Sequence, residues 1–488
     1  MSTRTSTSIT RSESSLSSRV FAVACVGTAL PNLDLFSVNI ALPSIAAEFD
    51  SVPLSDLSWI LNGYAIAYAA LLVFFGRLSE GYRRDRSFIL GIVIFSIASA
   101  GCALAGGVWG LVLFHTAAAF GAALMTPTSI GLLLATFPPE RRASAVRGWA
   151  GIGGFAAALG PIVGGLLVTF DWRLVFLANA LLGTTAAIVA WRVLPSIPGH
   201  PVERPSVVAA SLLTFGIAAL VFSIIKVNSW GFQSPGIIAS AFVAAVLLAL
   251  FVMHCVRSSN PLFSPSLFRI RLFSGASLAM VPYSVTFGAM LFSVALWGQS
   301  AWGWSALQAG LAIIPGPLMV PLTSTFLTGR LIARCGAAMT VTLGVGFVVL
   351  GFGLWALLIG LTESTGIIVA GMLLNGIGVG LIFPSLMGTG TQELPPTSFA
   401  TGSGMINMLR QASIAIGVAI FVAIVGTKTS MQDQLSAFRI GWWLMAAITC
   451  LTLWPTFVFL RKQPELQASV AAPKASPLPT DSDDLNQL

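Results

Sequence analysis

Asp34 has the greatest potential for chemistry, because this acidic residue lies deep inside an apolar stretch. It occurs in P-N-L-D-L-F-S-V-N-I-A-L-P, about fifteen residues after the stretch begins, and of the 17 acids of the chain only Asp34 is placed so far inside such a stretch. A carboxylate in a membrane is costly, so it should face a cavity, pair with another group or carry a proton. We expect Asp34 to bind a proton. Hydrogen bonds from Asn32 or Asn39, or a kink at Pro31, are the structural alternative.

His115 is the candidate partner of Asp34. It lies in L-V-L-F-H-T-A-A-A-F, about seven residues from the end of its own apolar stretch. Counted along their helices, both side chains should lie roughly 10–13 Å below the same membrane surface. A neutral imidazole is cheaper to bury than a guanidinium and titrates near physiological pH, so His115 could relay protons. A neutral histidine that forms a hydrogen bond between two helices explains the residue equally well.

A glycine-rich sequence, G-G-F-A-A-A-L-G-P-I-V-G-G, occupies 153–165 within a stretch that has no charge from 148 to 170. Small residues on one helix face allow a neighbouring backbone to approach closely, and a proline inside a helix bends it. The residues of this pattern are Gly154, Gly160, Pro161, Gly164 and Gly165. An ordinary packing face is the simpler interpretation, but G-P closely followed by G-G favours a specific motif.

The loop G-R-L-S-E-G-Y-R-R-D-R at 76–86 mixes arginines with acids. Such a loop could form a charge network across the mouth of a transport path and interact with helix ends. The candidate gating residues are Gly76, Arg77, Glu80 and Arg84. Taken alone, this composition favours a solvated basic connection.

Polar and aromatic residues inside the apolar stretches are the candidates for lining a substrate cavity. They are Asn39, Trp59, Tyr64, Gln299, Asn375, Asn407 and Arg410. Aromatic faces attract cations, so this set predicts a lipophilic cation as substrate. Most aromatic residues in such stretches, however, only pack or anchor the chain at the membrane surface.

The composition is that of a polytopic membrane protein. Of the 488 residues, 56% are hydrophobic and 9% are charged, and the mean hydropathy is +0.89. Soluble proteins carry roughly 25% charged residues. The net charge of +8 comes from basic residues scattered between apolar runs, so we expect no nucleic-acid partner. The five dispersed cysteines predict no metal site, and no P-loop, HExxH or Ser/His/Asp pattern predicts an enzyme, a cofactor or an ATP-driven pump.

Apolar stretches of about 20 residues, the length that crosses a bilayer, recur along the chain. They predict an all-α protein with about fourteen spans, at about 19–43, 57–77, 87–107, 109–136, 145–169, 173–194, 206–226, 235–256, 273–298, 306–329, 338–360, 366–390, 398–427 and 438–460. Gly76-Arg77-Leu78 at the end of the second span recurs as Gly329-Arg330-Leu331 at the end of the tenth, which indicates duplication. The predicted organisation is a disordered tail at 1–18, a six-helix bundle at 19–195, a two-helix insert at 206–256, a second six-helix bundle at 271–460 and a disordered tail at 463–488.

The basic residues predict the orientation of the chain in the membrane. If the N-terminus is cytosolic, nearly all arginines and lysines fall on the cytosolic side of the spans. The opposite side holds only Arg173, Lys226, Lys428 and Arg439, together with six acids. This distribution follows the positive-inside rule, so we expect both termini in the cytosol.

Together these stretches resemble the fourteen-span drug:proton antiporter branch of the major facilitator superfamily, from residue 19 to about 460. The glycine-rich sequence is similar to the antiporter signature G-x-x-x-G-P-x-x-G-G. Leu33–Pro43 is similar to the first-helix motif of the branch, whose aspartate binds protons or cations and is matched by Asp34. The 76–86 loop resembles the gating loop of the superfamily, and D-W-R-L-V-F-L-A-N, ending at Asn179, resembles the opening of its sixth helix.

Further residues match the branch, and others depart from it. Trp59 and Tyr64 match its second-helix pattern, while Gln299 and Arg410 match positions in the second half. The loop acid of the family is Glu80 here, and Arg83 takes the position of the second loop glycine. His115 stands where the fourth helix of the family has an arginine thought to assist proton transfer, and Ala118 stands where it has glutamine.

The resemblance implies the major facilitator fold, two six-helix bundles plus two inserted helices, in the cytoplasmic membrane of a bacterium. It implies a monomeric secondary transporter that exchanges protons for lipophilic, cationic drugs. A proton-linked exporter of a lipid, siderophore or metabolite is the alternative, because a large apolar cavity also fits an acyl chain. An uncoupled, transporter-like sensor is the third interpretation, and it is favoured if His115 does not relay protons.

Overall fold

The computed structural model describes residues 4–49, 52–199, 205–258, 261–262, 265–394, 399–426 and 430–461. Within these residues the regular secondary structure is entirely helical. Backbone N–H and C=O groups find no water inside a bilayer, so a chain this apolar satisfies them within helices.

Fourteen helices organise the described residues. They are α1 Arg4–Glu48, α2 Trp59–Glu80, α3 Arg84–Ala103, α4 Val108–Thr136, α5 Pro139–Val168, α6 Arg173–Val193, α7 Val207–Trp230, α8 Pro235–Arg257, α9 Arg271–Ala301, α10 (Ala306–Ile313 continued by Pro315–Thr323), α11 Gly329–Leu358, α12 Thr365–Gln392, α13 Phe399–Val425 and α14 Met431–Cys450. Shorter helical segments adjoin them at Leu54–Leu57, Pro265–Arg269, Ser324–Thr328, Leu453–Pro455 and Thr456–Leu460.

The predicted number of spans is close to the number of membrane-length helices. Thirteen helices of the described chain are long and apolar enough to cross a membrane. The difference arises at Ala306–Leu358, where α10 and α11 form one stretch of 53 residues. At about 1.5 Å per residue this stretch would be about 80 Å long, more than two bilayer cores. Its backbone turns at Gly336 (φ 80°, ψ 166°), a conformation that favours glycine, so it comprises two spans.

The first helix begins earlier than the sequence predicts. The segment 1–18, expected to be disordered, is helical from Arg4, because neither glycine nor proline interrupts the backbone hydrogen bonds between Arg4 and Gly27. The membrane-length part of α1 starts at Ser17. The other expected tail, 463–488, lies outside the described residues.

The two halves of the chain pack their helices in the same way. In the first half, α1 packs against α4, α5 and α6, α2 packs against α4, and α3 packs against α4 and α6. In the second half, α9 packs against α12, α13 and α14, α10 packs against α12, and α11 packs against α12 and α14. The same six pairings recur with every helix number raised by eight. The predicted fold class, two six-helix bundles plus an inserted pair, is therefore confirmed.

The inserted helices α7 and α8 pack against each other, and α7 also packs against α2 and α13, one helix from each half. Lys226 on α7 forms an ion pair with Asp56, just before α2. The halves contact each other directly through α1 and α9, α2 and α13, and α5 and α10. We call the end of the bundle that carries Arg83, between α2 and α3, the basic end. The other end, which carries Glu48 and Asp56, is the acidic end.

Candidate functional site

Asp34 and His115, the titratable residues that the sequence singles out, are in direct contact. Asp34 on α1 is 0% exposed, His115 on α4 is 1% exposed, and Oδ2 of Asp34 lies 3.0 Å from Nε2 of His115. The other carboxylate oxygen, Oδ1, accepts a 2.7 Å hydrogen bond from Nδ2 of Asn179 on α6. The other ring nitrogen, Nδ1, lies 2.7 Å from the backbone oxygen of Ile60 on α2. Four helices of the first half therefore meet at this pair.

The geometry determines how many protons the pair holds. The backbone oxygen of Ile60 can only accept, so Nδ1 of His115 carries a hydrogen and donates it. The hydrogen bond between Nε2 and Oδ2 of Asp34 needs a second hydrogen, on either the imidazole or the carboxyl group. In both arrangements the pair as a whole is electrically neutral, which lowers the cost of burying it. Both hydrogen bonds of the imidazole are therefore satisfied when the pair carries these two hydrogens.

Two aromatic rings enclose the imidazole of His115. Tyr64 stacks on it, with the ring centroids 4.6 Å apart and the planes at 23°, and Phe176 approaches edge-on at 5.7 Å. Aromatic faces stabilise an imidazolium and keep water away from it. Tyr64, which the sequence predicts in the substrate cavity, therefore lies beside the acid–histidine pair. Asn179 is separated from Asp34 by 145 residues, and its place in a sixth-helix motif gives no hint of this contact.

A narrow cavity lies at the centre of the molecule, between α1, α2, α9 and α13. Leu35 and Asn39 on α1 and Asn62 on α2 are among its lining residues. Asn62 is 0% exposed, and neither polar atom of its side chain has a hydrogen-bond partner among the described residues. Asn39 donates a 2.9 Å hydrogen bond to the backbone oxygen of Leu35, which leaves its Oδ1 atom unpaired in the same part of the chain. Buried amides without partners are costly, so they mark places where a ligand or water can bind.

Arg410 on α13 borders this cavity. Its guanidinium carbon lies 5.7 Å from the ring centroid of Phe287, which lines the cavity, and 4.8 Å from that of Phe383. No carboxylate of the described residues lies within 4.0 Å of the guanidinium nitrogens. The ionisable side chains near it are those of Tyr68 and Tyr283, which are uncharged at neutral pH. The second half of the molecule thus places a positive charge beside the cavity without a neighbouring acid.

The other predicted cavity residues have different surroundings. Gln299 on α9 donates a 3.2 Å hydrogen bond to a backbone oxygen of α1 and so connects the halves. Trp59 lies against a phenylalanine of the inserted helix α7, with the rings 6.4 Å apart. Asn375 is 0% exposed and bonds to the backbone of its own helix, α12. Asn407 is half-buried on α13, three residues before Arg410.

The glycine-rich face of α5 packs closely against α1. Ser37 on α1 donates a 2.9 Å hydrogen bond to the backbone oxygen of Gly160. A Cβ atom added at Gly160 would lie 2.5 Å from a side-chain carbon of α1, and one added at Gly164 would lie 2.7 Å from Cα of Ser37. Side chains larger than hydrogen would push the two helices apart.

The same face of α5 also packs against α10, in the other half. A Cβ atom added at Gly165 would lie 2.8 Å from the backbone oxygen of Ala306, and one added at Gly310 would lie 2.2 Å from the backbone oxygen of Pro161. Gly154 differs from its neighbours in the pattern, because a Cβ atom there would have nothing within 4 Å. The glycines therefore keep the halves in contact at the acidic end.

Gly165→Val is expected to open this contact, whereas the same change at Gly154 should leave it unchanged. An overpacked site costs about 1–3 kcal/mol, enough to shift the populations of two conformations by about tenfold or more. The measurement is the distance between spin labels at the exposed positions 166 and 311, after the exposed cysteines are replaced by serine. A longer or broader distance distribution is expected only for Gly165→Val. Identical distributions for both variants would contradict the role of the glycine contact.

Arginines of the 76–86 loop bind backbone oxygens at the basic end. Arg77 donates a 2.5 Å hydrogen bond to the backbone oxygen of Pro261, in the connection between the insert and the second half. Arg84 donates a 3.1 Å hydrogen bond to the backbone oxygen of Gly131 on α4. Gly76 also faces α4, where an added Cβ atom would make ordinary contact with a proline. The loop therefore connects the first half to the region that precedes α9.

Asp85, rather than Glu80, is the acid that organises this loop. Asp85 is 5% exposed, forms a 2.6 Å ion pair with Arg83 and accepts a 3.1 Å hydrogen bond from the backbone N–H of Ile197. Within the described chain Glu80 forms no ion pair. The physical reason is position, since Asp85 lies in the first turn of α3, where free backbone N–H groups favour an acid, and Glu80 ends α2.

The acidic end is held by the residues that open α6. Both terminal nitrogens of the Arg173 guanidinium donate to the carboxylate oxygens of Glu48, at 2.8 and 2.7 Å, and Nε1 of Trp172 donates to the same group at 2.6 Å. Such a bidentate pair fixes orientation as well as distance. It secures the end of α1, the helix that carries Asp34, against the start of α6, which carries Asn179.

Two relatives are similar in sequence over most of this chain. The tetracenomycin C resistance and export protein of Streptomyces glaucescens is 30% identical over 424 residues, which cover 86% of this chain and 76% of that protein. The methylenomycin A resistance protein of Bacillus subtilis is 32% identical over 352 residues, which cover 71% of this chain and 74% of that protein.

The fold is shared with solved transporters. A bacterial homologue of the human lysosomal transporter Spinster, solved in an inward-facing and unoccupied conformation, superposes with a TM-score of 0.67 at 15% identity. The superposition covers 92% of this chain and 99% of that one. The family model described as Major Facilitator Superfamily matches residues 24–418. This multi-pass membrane protein therefore belongs to the Major Facilitator Superfamily.

Proposed function

We propose that this protein exports lipophilic small molecules from the cell in exchange for protons. The buried Asp34–His115 pair carries the proposal, because its hydrogen bond requires a shared hydrogen and the pair lies out of contact with bulk water. Export is supported by the similarity to the tetracenomycin C resistance and export protein. The relevant membrane is the cell membrane, and one chain supplies both halves, so a monomer suffices.

Loss of the shared proton would destabilise the present arrangement of the pair. Because Nδ1 of His115 donates to Ile60, the lone pair on Nε2 would then face the negatively charged Oδ2 of Asp34 at 3.0 Å. Two acceptors at this distance repel each other, and neither has its hydrogen bond. The groups separate, or His115 gives up its bond to Ile60. Protonation thereby controls how α1 lies against α2 and α4.

Helix α1 connects the acid–histidine pair to the cavity. Leu35 directly follows Asp34, and Asn39 lies about one turn further along, and both residues line the cavity. A rearrangement at Asp34 therefore displaces the cavity wall. The two halves then open in alternation at either end, and the contact between α5 and α10 closes the acidic end. With the basic end and both termini in the cytosol, the substrate leaves at the acidic end.

The test is proton movement in proteoliposomes, followed with a pH electrode in a weakly buffered suspension. Two dyes with the same ring system serve as probes: Nile red is neutral and carries a carbonyl group, and Nile blue is a cation. We expect a transported dye to cause proton movement that requires the protein and is absent from empty liposomes. Protein-dependent dye transport without proton movement would contradict the exchange, and a lack of transport of both dyes would contradict the proposed export.

A further inference from the structure

Arg410 carries a positive charge beside the cavity, and the proposed proton exchange assigns no role to this charge. Its guanidinium group has five N–H donors and no acceptor. Among the described residues, its guanidinium lies over the rings of Phe287 and Phe383, with Tyr68 and Tyr283 nearby, and it forms no ion pair with a carboxylate. An arginine at membrane depth is costly and is retained where its charge is used. Its donors are therefore available to a ligand.

Residues on three helices show where Arg410 lies relative to the cavity. Ile414 lines the cavity on α13, and Arg410 precedes it by one turn. Tyr283 precedes the lining residue Phe287 on α9 by one turn, and Tyr68 follows the lining residue Ala65 on α2. Arg410 and the two tyrosines therefore border the cavity on its basic-end side.

Asn62 gives a second, independent indication of a ligand. It lines the cavity, is 0% exposed, and neither its amide oxygen nor its amide nitrogen has a partner in the described part of the chain. Leaving such an amide unpaired costs more than replacing it with an apolar side chain of the same shape. Between Asn62 and Arg410 the walls are apolar and aromatic, with Phe287 among them.

We infer that this cavity binds neutral or acidic aromatic molecules whose carbonyl or phenol oxygens accept hydrogen bonds from Arg410, while Asn62 binds a second polar group. The inference rests on the proposed function for the transport step. It differs from the lipophilic cation that the aromatic residues predict on their own. Phe287 and Phe383 already hold a cation, Arg410, and a second cation beside it would be repelled.

A neutral substrate is also compatible with proton exchange. It leaves the charge of the Asp34–His115 pair unchanged, so the proton and the substrate are exchanged through the movement of α1 and not through direct repulsion between charges. The cavity is narrow in this conformation, so an aromatic substrate enters when the two halves separate. Phe287 and the aliphatic residues that line the cavity then provide contact area for the substrate.

The experiment measures binding alone, as the rise in the thermal unfolding temperature of the purified full-length protein at saturating dye, followed by circular dichroism. A ligand that binds only the folded protein raises this temperature, and we expect a rise of about 2 °C or more with Nile red and none with Nile blue. Arg410→Gln should weaken the apparent affinity for Nile red by about tenfold or more. Arg410→Lys, which keeps the charge but has three N–H donors in place of five, should retain part of it. Arg192→Gln, at an exposed position on α6, is the control that loses the same charge elsewhere.

Asn62→Leu is the second variant, for the case that Arg410→Gln does not fold. Since the leucine replaces an unpaired buried amide, we expect this variant without dye to unfold at a higher temperature than wild type, while its affinity for Nile red falls about fivefold. If Asn62 had only a structural role, the dye-free Asn62→Leu variant would instead unfold at a lower temperature than wild type. Stabilisation by Nile blue, a lack of stabilisation by Nile red, or unchanged Nile red affinity in the folded Arg410→Gln variant would each overturn the inference.

Binding and proton movement separate this inference from the proposed function. Nile red binding that depends on Arg410, without proton movement in proteoliposomes, would support the cavity assignment and contradict proton exchange. Proton movement driven by Nile blue and unaffected by Arg410→Gln would support the exchange and contradict the cavity assignment.

Discussion

Asp34→Asn is expected to abolish proton-driven accumulation of substrate while leaving the fold intact. The amide has the size of a carboxyl group, accepts from Asn179 through its oxygen and donates to Nε2 of His115 through its nitrogen, so it reproduces the protonated pair. It has no proton to release. A gradient of about two pH units supplies about 2.7 kcal/mol per proton, equivalent to about 100-fold accumulation, and the variant should lose all of it.

The measurement is accumulation of Nile red by proteoliposomes with an acidic lumen, compared with exchange of the dye in the absence of a gradient. Exchange should persist in Asp34→Asn, because the substrate path is unchanged. Asp433→Asn, at an exposed position near the start of α14, is the matched control and should accumulate dye like wild type. Wild-type accumulation by Asp34→Asn would show that another group couples the protons.

His115→Gln is expected to slow proton-driven accumulation by about tenfold or more. The imidazole bonds to Asp34 and to the backbone oxygen of Ile60 and stacks on Tyr64, and glutamine cannot keep all three contacts. A buried polar group left without its partner costs about 1–3 kcal/mol, so we also expect a lower unfolding temperature.

The rate is measured in the same proteoliposomes over a range of lumenal pH. His254→Gln is the control, because His254 lies on the inserted helix α8, with Nε2 2.9 Å from Oγ of Ser206, away from Asp34. An unchanged rate and an unchanged pH profile in His115→Gln would contradict a proton shared between His115 and Asp34. The remaining interpretation would then be that Asp34 exchanges protons directly with water.

Most of the helices could be predicted from hydropathy, because a bilayer requires about 20 apolar residues in succession. The fourth span, predicted at 109–136, corresponds to α4 at Val108–Thr136. The break between the tenth and eleventh spans was predicted between 329 and 338, and the backbone turns within that interval, at Gly336 inside α11. The residue at which α1 begins could not be predicted from hydropathy. Polar residues that precede a membrane span can either extend its helix or form a non-helical segment, and hydropathy does not distinguish the two.

The acid–histidine pair could be anticipated because ionisable residues are rare inside apolar spans. Asn179 and Ile60, which fix the hydrogen bonds of the pair, could not, since an amide or a backbone oxygen has no distinctive sequence context. Trp59 and Asn375 lie at contacts between helices, because one sequence does not show which face of a span turns toward the cavity. The unpaired charge of Arg410 likewise emerges only when the neighbouring helices are in place.

The position of the inserted pair makes the two long sides of the bundle unequal toward the lipid. Because α7 contacts both α2 and α13, one boundary between the halves is covered by protein. The opposite boundary, between α5 and α10, presents exposed apolar side chains such as Phe155 and Leu311 to the bilayer. The two long boundaries between the halves therefore differ in surface: the inserted pair covers one, and the other turns apolar side chains toward the lipid.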